Sequence, residues 1–290
     1  MPDASWTPLE LLRWTTGYFE SHGIPSPRLD AELLLAHVLE VKRIDLYLRF
    51  EEAVDEASRS RFRELVRRRT GERVPVAYLT GRREFWSLGL GVTPDVLIPR
   101  PETETLVQTI LDLAPARWAD VGTGSGAIAA AVSLERPDCR VVAVDCSRAA
   151  LEVARANLER LDVLDRVELC EGDGVAPLEG RFDVIASNPP YIPSAELESL
   201  PPEVRCEPAE ALDGGPDGMR VIAALVRDAP AKLEAPGHLV LEVGAGQAPE
   251  VEQRLRGAGA TAVEVRKDLA GIERVVIGTF GDGEVPNGSV

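Results

Sequence analysis

The segment Trp118-Ala119-Asp120-Val121-Gly122-Thr123-Gly124-Ser125-Gly126, running into the small-residue stretch Ala127 to Leu134, decides the fold. An apolar run, a glycine turn and an alanine-rich helix start make a strand, a tight loop and a helix, the opening unit of a nucleotide-type α/β domain. The spacing is G-x-G-x-G, whereas the dinucleotide fingerprint is G-x-G-x-x-G and cradles a pyrophosphate. The variant therefore suits a ligand without phosphate, approached closely by backbone that carries no Cβ.

S-adenosylmethionine is such a ligand. The loop would face its methionine part, and Asp120 is placed to meet its ammonium. Working outward, Arg140 to Val144 reads as a second strand ended by Asp145, 19 residues after Gly126. A carboxylate there can accept from both ribose hydroxyls. Arg166 to Cys170 reads as a third strand, closed by Gly172-Asp173-Gly174, where such folds meet the adenine; a plain Asp-Gly turn is the alternative for Asp173. A fourth strand, Phe182 to Ala186, then delivers Asn188-Pro189-Pro190-Tyr191 to the same carboxyl edge, where open α/β sheets bind ligands.

Asn-Pro-Pro-Tyr has chemistry of its own. Each residue before a proline is biased to extended backbone, and neither proline supplies an N–H. The Asn188 side-chain oxygen and the Pro189 carbonyl are thus available to take both hydrogens of an NH₂ group, with Tyr191 covering its flat face. That pattern points to methylation of an amide or an exocyclic amine. A proline-rich turn ending a strand is the bland alternative.

The remaining chain falls into blocks. Residues 1 to about 75 read as a helical bundle: Ser26 as N-cap with Pro27 at N1, then Ala31, Leu34, Leu35 and Val38 on one face, with Phe62, Leu65 and Val66 repeating the pattern. Residues 76 to 98 read as a connecting β-hairpin, and residues 99 to 280 as the alternating α/β domain. After the fourth strand come a proline-rich segment to Pro216, a helix from Gly218 to Leu233, a strand from His238 to Val243, a helix from Ala248 to Arg256, and strands Ala262 to Arg266 and Arg274 to Phe280. Seven strands with alternating helices imply a mostly parallel sheet with an antiparallel edge strand. Gly244-Ala245-Gly246, with Gln247 and Pro249 following, reads as an ordinary strand-to-helix turn.

With 290 residues, 44% hydrophobic and 28% charged, the chain has the composition of a soluble globular protein of about two domains. It opens with no signal-peptide pattern and has no apolar stretch near the ~20 residues that span a bilayer, so a cytoplasmic protein without membrane contact is expected. Residues 281 to 290 are expected to be a flexible tail. Cys139, Cys146, Cys170 and Cys206 lack C-x-x-C spacing and His22, His37 and His238 are far apart, so neither a metal site nor a disulfide framework is expected. The formal net charge is −16; residues 1 to 75 hold 12 basic against 13 acidic residues, which leaves about −15 on the remainder. A phosphate backbone would be repelled. The arginines Arg59, Arg61, Arg63, Arg67, Arg68, Arg69 and Arg73 spread around their helix and read as a solvated or protein-docking surface.

Taken together, these motifs resemble the HemK/PrmC family of protein-glutamine methyltransferases along essentially the whole chain. The likeness runs through Ser26-Pro27-Arg28-Leu29-Asp30-Ala31-Glu32, Pro75 to Gly81, Arg83-Glu84-Phe85-Trp86, Leu97-Ile98-Pro99-Arg100-Pro101-Glu102-Thr103-Glu104, the glycine loop and Asn188 to Tyr191. It continues in Glu207-Pro208, Asp217-Gly218 and Asp268-Leu269-Ala270-Gly271. The Ile-Pro-Arg-Pro-Glu-Thr-Glu run is the most diagnostic. The resemblance implies a seven-stranded class I S-adenosylmethionine-dependent (Rossmann-like) methyltransferase sheet with a small N-terminal helical domain that helps hold the substrate. It implies S-adenosyl-L-methionine as cofactor and S-adenosyl-L-homocysteine as product. The implied substrate is the glutamine of the Gly-Gly-Gln loop of class I peptide chain release factors, methylated on its side-chain amide nitrogen by a monomer.

By the same resemblance, Asp120, Gly122, Thr123, Gly124, Ser125, Gly126, Asp145, Asp173, Gly174 and Asn188 would contact the cofactor. Asn188, Pro189, Pro190 and Tyr191 would receive the glutamine, with Asn188, Pro189 and Tyr191 carrying the catalysis and Leu97, Pro99 and Arg100 walling the pocket. Two positions depart from the family: Gly174 stands where a bulky residue is common, leaving adenine packing to Val175, and Cys206 stands where an aromatic is usual. A ribosomal-protein glutamine methyltransferase, an adenine amino methyltransferase acting on DNA or RNA, and a non-catalytic S-adenosylmethionine-binding module are the other readings.

Overall fold

A computed structural model of the chain describes residues 6–281. Of the tail expected at residues 281–290, residues 282–290 lie outside the described residues. The chain divides into two compact units, Met1–Arg82 with Pro201–Cys206, and Arg83–Leu200 with Glu207–Val290.

The first unit is helical. Helix α1 (Pro8–Ser21) starts with Pro8 at N1 and a capping box: the Thr7 hydroxyl accepts from the Glu10 N–H, and the Glu10 carboxylate accepts from the Thr7 N–H at 2.9 Å. Helix α2 (Pro27–Leu39) has Ser26 at its N-cap position, but the serine side chain makes no capping bond, so Pro27 and the fixed φ it brings carry the start. Helix α3 (Glu56–Gly71) is capped by Asp55, whose carboxylate accepts from the Ser58 N–H at 2.9 Å. Val76–Thr80 makes a single helical turn, α4. The sequence reading began a hairpin there; Gly81, in the left-handed region at φ 68°, ends the turn instead. Leu12, Phe19, Leu34, Leu35, Leu46, Phe62 and Val66 fill this unit's core. Within it Arg69, buried, donates to Asp30 and to Glu203, each at 2.8 Å, which ties the Pro201–Cys206 segment to α3.

The hairpin is confined to β1 (Arg82–Phe85) and β2 (Leu88–Gly91). Its two turn residues, Trp86 and Ser87, both have positive φ, 51° and 58°, as a type I′ turn requires. Neither is glycine; the Trp86 N–H donates to Glu104 and its indole N–H to Glu135, both at 3.0 Å, and these bonds offset the strain.

The second unit is a seven-stranded sheet with helices on both faces. In chain order it comprises α5 (Glu104–Leu113), β3 (Arg117–Val121), α6 (Ala127–Glu135), β4 (Arg140–Asp145), α7 (Arg148–Arg160), β5 (Val167–Glu171), β6 (Phe182–Ser187), α8 (Arg220–Asp228), β7 (Leu233–Glu242), α9 (Ala248–Gly257), β8 (Ala262–Lys267) and β9 (Glu273–Phe280). The strand order is β5-β4-β3-β6-β7-β9-β8. Strand β3 pairs parallel with β4 on one side and β6 on the other, so the order reverses beside its carboxyl end and opens a crevice there. Side chains alternate: Trp118, Val141, Ala143, Val184, Ala186 and Val240 share a core with the apolar residues of α5 and α6, while Ala119, Val142, Ile185, Leu239 and Leu241 share the other core with those of α8 and α9.

The antiparallel strand is not at the edge, as the sequence reading had it. Strand β9 pairs antiparallel with both β7 and β8, so it is next to last and β8 is the edge. Burial explains the order. Val275, Val276 and Ile277 of β9 are buried on both faces, whereas β8 carries Glu264, Arg266 and Lys267, charges that suit an edge.

Candidate active site

The crevice is built first by the glycine turn. Gly122, Gly124 and Gly126 all have positive φ, 77°, 55° and 75°. A Cβ at Gly124 would meet open space, and one at Gly122 only the Ser187 hydroxyl at 4.0 Å, so the turn presents bare backbone to the crevice. Gly126 serves a different purpose: a Cβ there would lie 3.2 Å from the Ala154 Cβ, so its absence lets α6 start against α7. Ser125 is buried and its carbonyl accepts from the Asn157 side chain at 2.9 Å. Asn157 also exchanges hydrogen bonds with Gly91, bracing the turn against β2.

Asp120 is fully buried at the end of β3. One carboxyl oxygen accepts from the Thr123 hydroxyl at 2.7 Å, and the other has no hydrogen-bond partner among the described residues. Burial, only partly countered by the Thr123 bond, pushes its pKa up from 3.8 to about 7. A buried carboxylate oxygen without a donor is costly, and a cationic group is the ligand that removes the cost. Asp145, at the end of β4, accepts from the Gly124 N–H at 2.8 Å and from the Ser147 N–H at 2.9 Å. Both oxygens are thereby held at the rim, each with a further lone pair for a donor. Asp173 is exposed, and Val175 is buried in the core of the α8/α9 face. The loop before them approaches Asp145, whose carbonyl accepts from the Gly172 N–H at 3.0 Å.

Asn188 lies on the neighbouring strand end. The hydroxyl of Ser187, just before it, donates to the Val121 carbonyl at 2.6 Å, which joins the Asn-Pro-Pro-Tyr segment to the start of the glycine turn. The Asn188 amide NH₂ donates to the Thr103 hydroxyl at 3.2 Å. Pro189 is buried, Pro190 and Tyr191 half-buried. Burial first, and then the Glu242 carboxyl, push the Tyr191 phenol up to about 12, so it stays neutral. Its carbonyl accepts from Gln247 at 3.0 Å, and Gln247 in turn accepts from the Gly244 N–H at 2.8 Å. Gly218 and Gly244 pass close to Tyr191: a Cβ on Gly218 would lie 2.3 Å from the Tyr191 carbonyl oxygen, and one on Gly244 3.1 Å from its ring.

The Leu97 to Arg100 segment is clamped by Glu207, which is buried. Glu207 accepts from the Ile98 N–H at 3.0 Å and pairs with the Arg100 guanidinium, while Arg83 donates to the Pro99 carbonyl at 3.1 Å. Arg100 and Glu102 both lie within electrostatic reach of Tyr191.

Hydrogen bonds thus link Asp120 to Thr123, Gly124 to Asp145, and the Asn188 strand end to Val121; none of those described joins Asp173 to this rim. Four supporting residues escaped the sequence reading as site residues: Asn157, Thr103, Glu242 and Gln247. Gln247 had a signal, three residues after Gly244 at a strand-to-helix turn, but Asn157 sits on a helix with nothing in its neighbours to mark it.

A doubly covered sheet with this order, and a phosphate-free glycine turn beside an Asn-Pro-Pro-Tyr edge, define a class I methyltransferase domain. The same sheet is seen in a methyltransferase from Pyrococcus furiosus (TM-score 0.53, 23% identity, 67% of this chain and 89% of that one). It is seen also in the hMettl16 catalytic domain in complex with MAT2A 3′UTR hairpin 6 (TM-score 0.58, 15% identity, 80% and 85%). Residues 10–81 match the PrmC N-terminal domain family and residues 101–200 the methyltransferase small domain family. A release factor glutamine methyltransferase from Rhodopirellula baltica is 45% identical over 94% of this chain and 96% of its own length, and one from Geobacter sulfurreducens 42% identical over 95% and 98%. The chain belongs to the release factor glutamine methyltransferase family.

Proposed function

We propose that the protein methylates the side-chain amide nitrogen of the glutamine in the Gly-Gly-Gln loop of class I peptide chain release factors. S-adenosylmethionine, when bound, supplies a methyl group on a positively charged sulfur and leaves as S-adenosylhomocysteine. The observation that carries this reading is Asn188, held at the strand end next to the glycine turn with its NH₂ already given to Thr103. Its side-chain oxygen has no hydrogen-bond partner among the described residues and is free to accept.

The residues divide the work. The unpartnered oxygen of Asp120 would take the cofactor's ammonium, the bare backbone of Gly122 to Gly126 would lie along its methionine part, Asp145 would take ribose hydroxyls, and Asp173 and Gly174 would border the adenine. Asn188 and the Pro189 carbonyl accept the two hydrogens of the glutamine NH₂, and Pro190 with the neutral Tyr191 covers the flat amide. An amide lone pair is conjugated with its C=O and is a poor nucleophile. Fixed acceptors on both N–H bonds favour the arrangement in which that pair points at the methyl carbon, and alignment supplies much of the rate. Asn188, Pro189 and Tyr191 would hold this nitrogen in place for the methyl group that S-adenosylmethionine, when bound, would supply. Leu97, Pro99 and Arg100 wall the pocket.

The helical unit supplies recognition of the release factor, supported by the exposed apolar side chains Trp14, Leu29, Leu33, Ile44, Tyr47 and Leu48. The arginines of α3, and Arg73 just after it, do not favour nucleic acid. Arg59 and Arg63 pair with Glu56, Arg67 with Glu64, Arg68 with Glu72, and Arg69 and Arg73 with Glu203, while Arg61 donates to the Val38 carbonyl. In this reading the protein is a cytoplasmic enzyme that works as a monomer. Incubation with labelled S-adenosylmethionine and a purified class I release factor tests the reading. Label is expected in the wild-type factor and not in one whose Gly-Gly-Gln glutamine is replaced; label in neither overturns it and directs the search to ribosomal proteins, then nucleic acid.

A further inference from the structure

The Leu97 to Arg100 segment belongs to no helix or strand, and Pro99 and Pro101, which frame Arg100, have no N–H with which to anchor it. Its shape is therefore set by side chains from elsewhere in the chain. Glu207 takes the Ile98 N–H on one oxygen at 3.0 Å and the Arg100 guanidinium on the other, and Arg83 donates to the Pro99 carbonyl at 3.1 Å. Three consecutive residues are held in this way. The Glu207 side chain is only 2% exposed, and a carboxylate so deeply buried is tolerated only with donors on it. Farther along, the Arg100 carbonyl accepts from the Thr103 N–H at 3.1 Å, and the Thr103 hydroxyl accepts from the Asn188 NH₂. The segment is thus fixed at both ends, one of them at the candidate site.

This arrangement leaves Arg100 with free donors. Its side chain is 31% exposed, it gives one N–H to Glu207, and its other N–H groups have no acceptor among the described residues. A guanidinium carries five donors in one plane, so fixing one fixes the direction of the rest. Its charge is already matched by Glu207, which suits it to a neutral acceptor better than to a phosphate. The loop proposed as substrate offers few handles besides its glutamine. Two glycines have no side chains, so that part of the loop can be hydrogen-bonded only through its backbone, and a group that can only donate must take the carbonyls.

The geometry points to Arg100 as a specificity-determining residue that donates to main-chain carbonyls of the substrate loop, with Glu207 as the positioning residue that aims it. This deepens the function proposed above and rests on it. Asn188 and Pro189 keep the glutamine amide; Arg100 holds the backbone that presents it, and Glu207 acts through Arg100.

Steady-state kinetics with a purified class I release factor as the varied substrate test both roles. Arg100→Ala and Arg100→Lys are each expected to raise KM for the release factor tenfold or more, with kcat and S-adenosylhomocysteine affinity within about threefold of wild type. Lysine keeps Glu207 paired, so that variant folds, but it has no fork to share. Glu207→Gln keeps an oxygen for the Ile98 N–H and turns an NH₂, another donor, on Arg100; it is expected to raise the same KM at least fivefold. Added to Arg100→Ala, it should raise KM by less than a further twofold, because the side chain it acts through is already gone. Wild-type KM in Arg100→Ala, a lysine that restores it, or a Glu207→Gln effect that multiplies in full with Arg100→Ala overturns the inference while leaving the function standing. No transfer of label from the wild-type protein to the release factor is a separate result, which removes the function and this inference with it.

Discussion

Asp120 shows how a residue can be costly to the fold and useful to the site. Burial raises its pKa from 3.8 to about 7, so it holds a proton in the folded protein over a range where the unfolded chain has lost it. The stabilisation this gives relative to the unfolded chain is complete below about pH 4 and is lost as pH rises through about 7, a change on the order of a few kcal/mol. Asp120→Asn should therefore melt at a higher temperature than the wild type at pH 8 without ligand, while binding S-adenosylmethionine at least tenfold more weakly; a lower melting temperature would mean that the carboxylate is satisfied without ligand. Wild-type affinity should also rise between pH 5.5 and 7 as Asp120 ionises, and calorimetry on Asp120→Asn should show that slope gone. Asn188 makes the complementary case. Asn188→Ala should leave cofactor affinity within about fivefold and reduce turnover by about two orders of magnitude, the usual cost of losing a fixed dipole at a reacting group.

At the scale of the element, the glycine turn divides into positions with different duties. Gly126 has both a positive φ and Ala154 in the way of a side chain, 3.2 Å from where a Cβ would sit, whereas Gly124 has the positive φ and open space. Gly126→Ala should destabilise the protein by about 1–3 kcal/mol, because backbone strain and a displaced α7 add. Gly124→Ala should cost about 1 kcal/mol of stability and show its main effect as weakened cofactor binding. Urea unfolding of both variants, with and without S-adenosylhomocysteine, separates the two. The same logic explains Gly218 beside the Tyr191 carbonyl, where the space is taken by backbone that no rotamer can vacate.

Across the whole molecule, the chain leaves its sheet unit after Leu200 and returns at Glu207, and the six residues between belong to the helical unit. Arg69, buried with Asp30, holds them there through the half-buried Glu203. Removing Arg69 leaves the buried Asp30 without its partner while Glu203 keeps Arg73, so Arg69→Ala should destabilise the helical unit by about 3 kcal/mol. In hydrogen exchange, amides of α2 and α3 should lose protection while those of β3 and β6 keep it. Equal loss in both would show that the units unfold as one.

The order of helices and strands was legible because each rests on local pattern: the glycine turn after Val121, the apolar runs of β4, β6 and β7, and prolines at helix starts. The site's outer members were legible for the same reason, since Asp120, Asp145 and Asn188 each end a strand and such ends converge on one edge of an open sheet. The place of β9 was also written in the sequence, in the unbroken Val275-Val276-Ile277 run against the charged β8, but the reading put the antiparallel strand at the edge. What the chain could not disclose locally is which residue meets which across long separations: Thr103 with Asn188, Asn157 with Gly91, Glu207 with Ile98. Hydrogen-bond partners of buried polar groups are chosen by packing in three dimensions, and only the tertiary structure decides them.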